Sequence, residues 1–211
     1  MPRKPASSPV ERGEEKVRIY TPEQAEATFR ALEIFPALRV AYWIGLHVGP
    51  RSIDLFLLER KSLVKDAMGR RLLEFTSRKT GKHQAIPLSK ETCEILDAWL
   101  ATHDSPFIFP GLSDPKSEEP EKSYRARTRN SLMKQCLTMA GITDMPKPWQ
   151  SARATCNERY ESHMPGTGAF ILGHELRGVN ARSYRSPNEV VHKAVNTLPP
   201  YSQMARQRQL F

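Results

Sequence analysis

The apolar stretch from Ala37 to Val48 limits most strongly what this chain can fold into. Its apolar side chains recur at the spacing of an α-helix; they are Leu38, Val40, Ala41, Trp43, Ile44 and Leu46. Gly49-Pro50 ends this helix, because proline has no N–H to donate and its ring collides with the preceding turn. A further helical turn carries Arg51 to Leu55. The sequence therefore predicts an apolar helix that stops just before an arginine.

Three short segments after this helix have the composition of β-strands. The dipeptides Met68-Gly69 and Thr80-Gly81 separate them, and glycine at such places is typical of turns. The predicted strands are Lys61–Val64, Arg71–Thr76 and Gln84–Leu88. We expect them to form a small antiparallel sheet.

The rest of the folded sequence is predicted to be helical. Thr21-Pro22-Glu23-Gln24 begins the first helix, since it combines an N-cap threonine, a proline at the first helical position and a glutamine able to complete a capping box. Pro110 to Lys122 is polar and acidic and is predicted to be a loop. Further helices are expected at 90–101, 123–140, 150–162, 168–172 and 188–198. The fold class is therefore α+β, mainly helical, with one small antiparallel three-stranded sheet.

The length of 211 residues suits one domain with a single core. Residues 1–17 are rich in Pro, Ser, Lys and Glu and have almost no large apolar side chains, so we expect a disordered lead-in. Residues 18–198 form the expected domain, and residues 199–211 a C-terminal tail.

The net charge of +9 and the pI near 9.6 favour a polyanionic partner. Lysine and arginine that neutralise phosphates release counterions, which makes nucleic acid the leading candidate. Ribosomal and peripheral membrane proteins share this charge balance, so charge alone does not identify a reaction.

The cysteine and hydropathy patterns indicate the cellular compartment of the protein. Cys93, Cys136 and Cys156 lie far apart without a C-x-x-C pair, which supports neither a zinc site nor a disulfide framework. No apolar run approaches the ~20 residues that span a bilayer. We expect a cytoplasmic protein without metal or cofactor.

Two basic segments are candidates for binding phosphate. Arg51 either pairs with Asp54 at a helix start or uses its planar guanidinium to clamp two phosphate oxygens. The turn that contains Lys79 lies between two predicted strands. It is either a solvated hairpin or a DNA-backbone contact, and its lysine could enter a cleft and protonate a departing alkoxide.

Two later segments indicate a function only when they are considered together with the two basic segments. Arg153 enters a helix after Pro148-Trp149-Gln150. Leu172-Gly173-His174 is followed by Tyr184, ten positions after the histidine. Taken singly, a histidine after glycine is usually structural, and a tyrosine usually packs in a core.

In order and spacing these segments resemble those of the tyrosine recombinase and phage integrase family, over roughly residues 18 to 198. Val48-Gly49-Pro50-Arg51-Ser52-Ile53-Asp54 is similar to the family's T-G-L-R-x-x-E segment, with Asp in place of Glu. Lys79 stands in a K-T-G turn before a strand that ends in Pro-Leu. Gln150-Ser151-Ala152-Arg153 resembles H-x-x-R with the histidine replaced. Leu172-Gly173-His174 matches L-G-H, and Tyr184 lies one residue further on than the family's nucleophile.

This resemblance implies the tyrosine-recombinase catalytic fold and a metal-independent transesterification on DNA. Tyr184 would attack phosphorus, expel the 5′-hydroxyl and leave a 3′-phosphotyrosyl bond that a second strand reverses without ATP. Arg51 and Arg153 would hold the nonbridging oxygens, with a further hydrogen bond from His174. Lys79 would protonate the leaving oxygen.

Gln150 is the main departure from the family pattern. An amide can orient a proton or bind a phosphate, but it cannot accept the tyrosine proton as an imidazole can. Family members also carry an N-terminal helical domain that clasps the DNA, for which the residues before 18 offer no counterpart. We therefore expect either an excised catalytic fragment or a short recombinase, with weak and salt-sensitive DNA binding.

The expected partner is double-stranded DNA. Further candidate phosphate contacts are basic side chains in the lysine turn or on the helix before Arg153, namely Arg78, Lys82, Arg125, Arg127, Arg129 and Lys134. The resemblance also implies self-association on DNA through the C-terminal segment, although a last helix folded back on its own domain fits equally well. It places the protein with nucleoid-associated DNA of a prokaryotic or phage-like element.

Three functions are compatible with these observations. The sequence favours a site-specific recombinase that integrates, excises or inverts a mobile element. A catalytically impaired DNA-binding relic, which lost turnover through Gln150, is the second. The third is an unrelated basic RNA-binding protein, in which the ordered Arg, Lys, Arg, His and Tyr are coincidental.

Overall fold

The computed structural model describes residues 17–112, 119–173 and 189–201, with side chains from residue 127 onward in the helix that begins at Glu119. Eight α-helices and three strands lie within these ranges. The helices are α1 (Pro22–Ala31), α2 (Pro36–His47), α3 (Ser52–Leu55), α4 (Lys90–Leu100), α5 (Glu119–Met139), α6 (Pro148–His163), α7 (Thr167–Ile171) and α8 (Glu189–Thr197). The strands are β1 (Leu63–Lys65), β2 (Arg71–Thr76) and β3 (His83–Pro87). The predicted class, mainly helical with one small antiparallel sheet, is confirmed.

Helix α2 lies at the centre of the core. From Leu38 to His47 all of its side chains except that of Arg39 are buried, and the helix packs against α4 and α6. A Cβ added at Gly45 would lie 3.3 Å from the Cβ of Ala152 on α6, so the absence of a side chain lets the two helices approach closely. The end of α2 is therefore fixed against α6, which carries Arg153.

The strands form one antiparallel sheet in the order β1-β2-β3. Leu73 lies opposite both Leu63 and Ile86. Leu73 and Ile86 are buried, and because side chains alternate between the two faces of a strand, this register places one face against the core. Thr76 pairs with His83, so the turn between β2 and β3 extends beyond the sheet.

Two predicted boundaries were wrong about the type of local structure, and the others shift by no more than two residues. The strand expected at Lys61–Val64 is Leu63–Lys65, because Arg60–Ser62 form a 3-10 turn. Helix α5 begins at Glu119, inside the loop expected from Pro110 to Lys122. Proline is tolerated in a first helical turn, and acidic side chains there interact favourably with the helix dipole. From Glu119 onward, the polar and acidic composition therefore belongs to a helix start.

Specific contacts mark both ends of the described domain. Helix α1 starts as expected, because Thr21 and Gln24 exchange both capping-box hydrogen bonds, at 3.2 and 3.0 Å. Helix α8 packs on α7 and β3, and Tyr201 after it is only 7% exposed. The packed part of the described chain therefore reaches Tyr201.

Most of both predicted flanking segments, residues 1–16 and 202–211, lies outside the described residues. In the part of the chain that is described, no helix combines the length and apolar character needed to cross a membrane.

Candidate active site

Arg51 stands where the chain leaves α2 and enters α3. Gly49 just before it has a φ of +66°, a conformation that residues with a Cβ rarely adopt. A Cβ at Gly49 would lie 2.7 Å from Cδ2 of Leu172 and 3.0 Å from Sγ of Cys156. Glycine is therefore required here by its backbone angle and by the close passage of this loop along α6, and the loop sets the position of Arg51.

The guanidinium of Arg51 contacts the base of the β2–β3 turn. Its Nη1 donates to Oγ of Ser77 at 3.0 Å, and Ser77 is fully buried. The simpler alternative, an ion pair with Asp54, is not formed between these two described side chains. Instead, Oδ1 of Asp54 accepts from the backbone N–H of Arg78 at 2.9 Å. Arg51 is thus held by a neutral hydroxyl and not by a direct ion pair with that carboxylate.

The turn between β2 and β3 presents Lys79. The N–H of Ser77 donates to the carbonyl of Lys82 at 2.9 Å, and the N–H of Gly81 donates to the carbonyl of Ser77 at 2.8 Å. Gly81 has a φ of +66°, the left-handed conformation that glycine adopts without strain. The turn is therefore closed at its base, and its bond to Asp54 fastens it to α3. Lys79 itself is exposed.

Arg153 on α6 joins two loops of the site. Its Nη1 donates to the carbonyl of Gly49, and its Nη2 donates to the carbonyl of Leu172 at 2.8 Å. The first loop leads to Arg51 and the second to His174. Burial, and next the neighbouring Arg51 guanidinium, lower the pKa of Arg153 to about 10, so Arg153 stays charged at neutral pH. Two positive charges therefore lie close together, an arrangement suited to an anion.

Gly173 lies directly against β3. Gly173 has a φ of +64°, and a Cβ added there would lie 1.6 Å from Nε2 of Gln84. Glycine is thus required immediately before His174. His174 and Tyr184 lie outside the described residues, and their roles stay predictions.

Gln150 lies in the first turn of α6 and is exposed. Residues three positions apart on a helix share a face, which places Gln150 on the same side of α6 as Arg153. The structure therefore brings together Arg51, Arg153 and the base of the Lys79 turn, with Gln150 about one helical turn away.

Two other tyrosines in the second half of the chain, Tyr160 and Tyr201, are built into the core. The hydroxyl of Tyr160 donates to the carbonyl of His47 at 3.0 Å. Burial raises the pKa of Tyr160 and also that of Tyr201. Neither phenol is exposed, so neither is placed to attack a DNA phosphate.

The further candidate DNA contacts differ in exposure. Arg78, Lys82, Arg127 and Lys134 are exposed, as a phosphate contact requires. Arg129 is only half-buried; its Nη1 donates to the carbonyl of Leu112, and its Cζ lies 4.1 Å from the centre of the Phe56 ring. Its contact with DNA stays a prediction. The side chain of Arg125 lies outside the described residues.

Two residues of the site were not found by sequence reasoning. Gln84 shares the inward face of β3 with Ile86, and a polar residue at such a position is a signal that could have revealed it. Ser77 follows the last residue of β2 and resembles any turn serine. Nothing in the sequence distinguishes it.

Comparison with solved structures shows which fold this is. The catalytic core of lambda integrase matches with a TM-score of 0.60 and 20% sequence identity, covering 75% of this chain and 96% of that one. A lambda integrase dimer bound to a COC′ core site gives 0.62 and 20%, covering 83% of this chain and 63% of that one. The XerA recombinase gives 0.55 and 16%, covering 96% and 66%.

No protein-family model and no curated protein matches the sequence. The chain spans nearly all of the lambda integrase catalytic core, but 63% of the DNA-bound lambda integrase and 66% of XerA. At sequence identities of 16–20%, these matches show a shared fold. This chain has the catalytic-domain fold of the tyrosine recombinases.

Proposed function

We propose that this protein is a site-specific DNA strand transferase of the tyrosine recombinase type. One observation carries the proposal. Arg153 binds the carbonyls of Gly49 and Leu172, and so draws the loop of Arg51 and the loop that leads to His174 to a single place. Two guanidinium groups beside a lysine turn can bind the nonbridging oxygens of one phosphodiester.

In the proposed reaction the phenolic oxygen of Tyr184 attacks phosphorus. A P–O bond to the tyrosine forms, the bond from phosphorus to the 5′ oxygen breaks, and Lys79 gives that oxygen a proton. Arg51 and Arg153 stabilise the charge that develops on the nonbridging oxygens, and His174 donates a hydrogen bond to the same phosphate. The phosphotyrosyl ester retains the bond energy, so a 5′-hydroxyl of another strand can reverse the step.

Because position 150 is a glutamine, the phenol of Tyr184 must lose its proton without a general base at this position. An amide does not accept that proton, and a family enzyme would carry an imidazole at this position. In this chain the proton passes to water, helped by the two nearby guanidinium charges, which favour the phenolate. The exposed amide at this position is also the observation that favours the second candidate function, a DNA-binding relic with impaired cleavage.

Double-stranded DNA is the proposed partner, in a prokaryotic or phage-like setting where the DNA is nucleoid-associated. The net charge of +9 and the exposed basic side chains Arg78, Lys82, Arg127 and Lys134 support it. Lambda integrase structures with this fold contain a dimer on a core site and a tetramer on a Holliday junction. We propose a similar self-association on DNA, mediated by the segment after Tyr184, for the integration, excision or inversion of a mobile element.

Covalent trapping tests this function. A pool of nicked duplexes with a randomised region is incubated with the full chain, and protein–DNA adducts are isolated under denaturing conditions and sequenced. The nick lets the cleaved strand diffuse away, so the adduct accumulates. We expect one sequence to be enriched, an adduct on that duplex, and its loss in Tyr184→Phe. Tyr201→Phe is the matched control and should form the adduct, because Tyr201 is buried.

The other outcomes separate the alternatives. Sequence-specific duplex binding without any adduct would favour the relic. A preference for RNA over duplex DNA would contradict both DNA functions and support the unrelated RNA-binding protein.

A further inference from the structure

Ser77 links two parts of the site. Its Oγ accepts a hydrogen bond from Nη1 of Arg51 at 3.0 Å, and the residue is fully buried. Its backbone N–H and carbonyl also close the turn that carries Lys79, through bonds to Lys82 and Gly81. One buried serine therefore contacts the guanidinium of Arg51 and forms the base of the lysine turn.

The chemical nature of this acceptor suits a phosphate site. A carboxylate in the same place would neutralise the guanidinium and compete with a phosphate for its N–H groups. A hydroxyl oxygen fixes the orientation of the guanidinium and leaves its positive charge in place. Asp54 directs Oδ1 to the backbone N–H of Arg78, so that carboxylate oxygen holds the turn instead of Arg51.

We propose that Ser77 is a positioning residue of the cleavage reaction, which orients Arg51 toward the scissile phosphate and couples that guanidinium to the Lys79 turn. The inference rests on the proposed strand-transfer function. An unrestrained arginine samples many rotamers, and ordering it during the reaction costs conformational entropy. Ser77 orders it in advance, so its effect falls on the rate of cleavage and not on DNA affinity.

Ser77→Ala removes the hydroxyl acceptor and keeps the backbone bonds of the turn. On the duplex enriched from the randomised pool, we expect the single-turnover cleavage rate to fall about tenfold or more, as the loss of a hydrogen bond to a charged group implies, with duplex affinity within about twofold of the wild type. Thr76→Ala is the matched control, because Thr76 is the exposed neighbour at the end of β2. It should cleave at the wild-type rate.

A 5′-bridging phosphorothiolate duplex separates an effect through Arg51 from an effect through Lys79. The sulfur of this substrate leaves without needing a proton. The substrate therefore restores the rate of a variant whose only defect is in the general acid. Ser77→Ala should remain slow on this substrate, because Arg51 acts on the nonbridging oxygens. Full restoration of the rate, or a wild-type rate on ordinary DNA, would overturn the assignment.

A second measurement does not depend on cleavage. Arginine side-chain ¹H–¹⁵N spectra of the full chain report the guanidinium of Arg51, identified by its absence in Arg51→Lys. The bond to Ser77 hinders rotation of the guanidinium, so its Nη protons should be resolved in the cold in the wild type and averaged in Ser77→Ala. Identical spectra would contradict the proposal for Ser77. Failure of the wild-type chain to cleave any DNA would instead count against the strand-transfer function.

Discussion

Single side chains determine how positive charge is arranged in this site, and Arg153 shows how. Its bonds to the carbonyls of Gly49 and Leu172 leave further guanidinium N–H groups for phosphate oxygens. The nearby Arg51 is held in turn by Ser77. Both charges are therefore held in place in the structure, and in the proposed reaction such preorganised charge lowers the barrier to a highly charged transition state.

Lys79→Ala tests the proposed general acid. We expect strand cleavage to slow by about 10²-fold or more, because an unprotonated alkoxide leaves poorly and general-acid help is of this size. A 5′-bridging phosphorothiolate duplex should return the variant to nearly the wild-type rate. Lys82→Ala is the matched control from the same turn; it should weaken duplex binding at low salt and gain nothing from the sulfur substrate. A Lys79 variant that stays slow with sulfur as the leaving atom would exclude Lys79 as the acid.

Gln150→His tests whether general-base help is missing. Above the ordinary imidazole pKa of about 6.5, neutral histidine accepts the phenol proton, and we expect cleavage about tenfold faster or more. The rate of the variant should rise with pH through that pKa and level off above it, a break that the wild type should not show. Gln150→Asn, which keeps an amide, should show neither effect. If the histidine variant cleaves no faster than the wild type, Gln150 is not the reason for slow turnover.

At the scale of helices and strands, local patterns in the sequence were sufficient for most of the fold. The capping box at Thr21 and the Gly49-Pro50 break each mark a helix boundary, and β2 covers the predicted residues Arg71–Thr76. The start of α5 was missed because Glu and Pro are common both in loops and in first helical turns. Periodicity thus identifies elements well and their ends less well.

Contacts between elements were much less predictable. The bond from Arg51 to Ser77 spans 26 residues of the chain, and that from Arg153 to Gly49 spans 104. No short sequence pattern predicts contacts between residues so far apart along the chain. The ordered Arg, Lys and Arg motifs indicated convergence through family resemblance, but they gave no sign that backbone carbonyls would hold Arg153 or that a serine would hold Arg51.

Gly173→Ala tests the close packing of the turn before His174. Gly173 and Gly141 both have a positive φ, of +64° and +74°, but only at Gly173 would an added Cβ meet another group, Gln84. Gly141→Ala is therefore the matched control for backbone strain, expected at about 1–2 kcal/mol. We expect Gly173→Ala to lower the free energy of unfolding by about 1 kcal/mol more than that, as measured by urea denaturation. Equal losses would show that Gln84 moves away at little cost.

At the scale of the whole molecule, the last described residues complete the core around α2. Arg159 on α6 donates to the carbonyl of Pro199 at 2.6 Å and lies 3.6 Å from the centre of the Tyr201 ring. His47 stacks on Trp43 at 3.9 Å and meets the Tyr201 ring edge-on at 5.5 Å. Residues 198–201 are thus packed on their own domain. A docking segment that included these residues would first have to break these contacts.

His47 makes the stability of this core dependent on pH. Burial, and next the positive charge of Arg159, lower the pKa of His47 to about 3, well below the value of about 6.5 expected in the unfolded chain. The unfolded state therefore binds the proton more readily. The contribution of His47 is unchanged above about pH 6.5, and below it stability falls by up to about 1.4 kcal/mol per pH unit until the folded-state pKa is reached.

We therefore expect the free energy of unfolding of the wild type to fall more steeply than that of His47→Gln as the pH is lowered from about 6.5 to about 4. Urea denaturation at several pH values measures both slopes. The difference between the slopes cancels the contribution of the carboxylates, which the two proteins share. His83→Gln is the matched control, because His83 is an exposed histidine on β3; it should follow the wild-type slope. Parallel curves for the wild type and His47→Gln would mean that the imidazole is not held neutral between Trp43 and Tyr201.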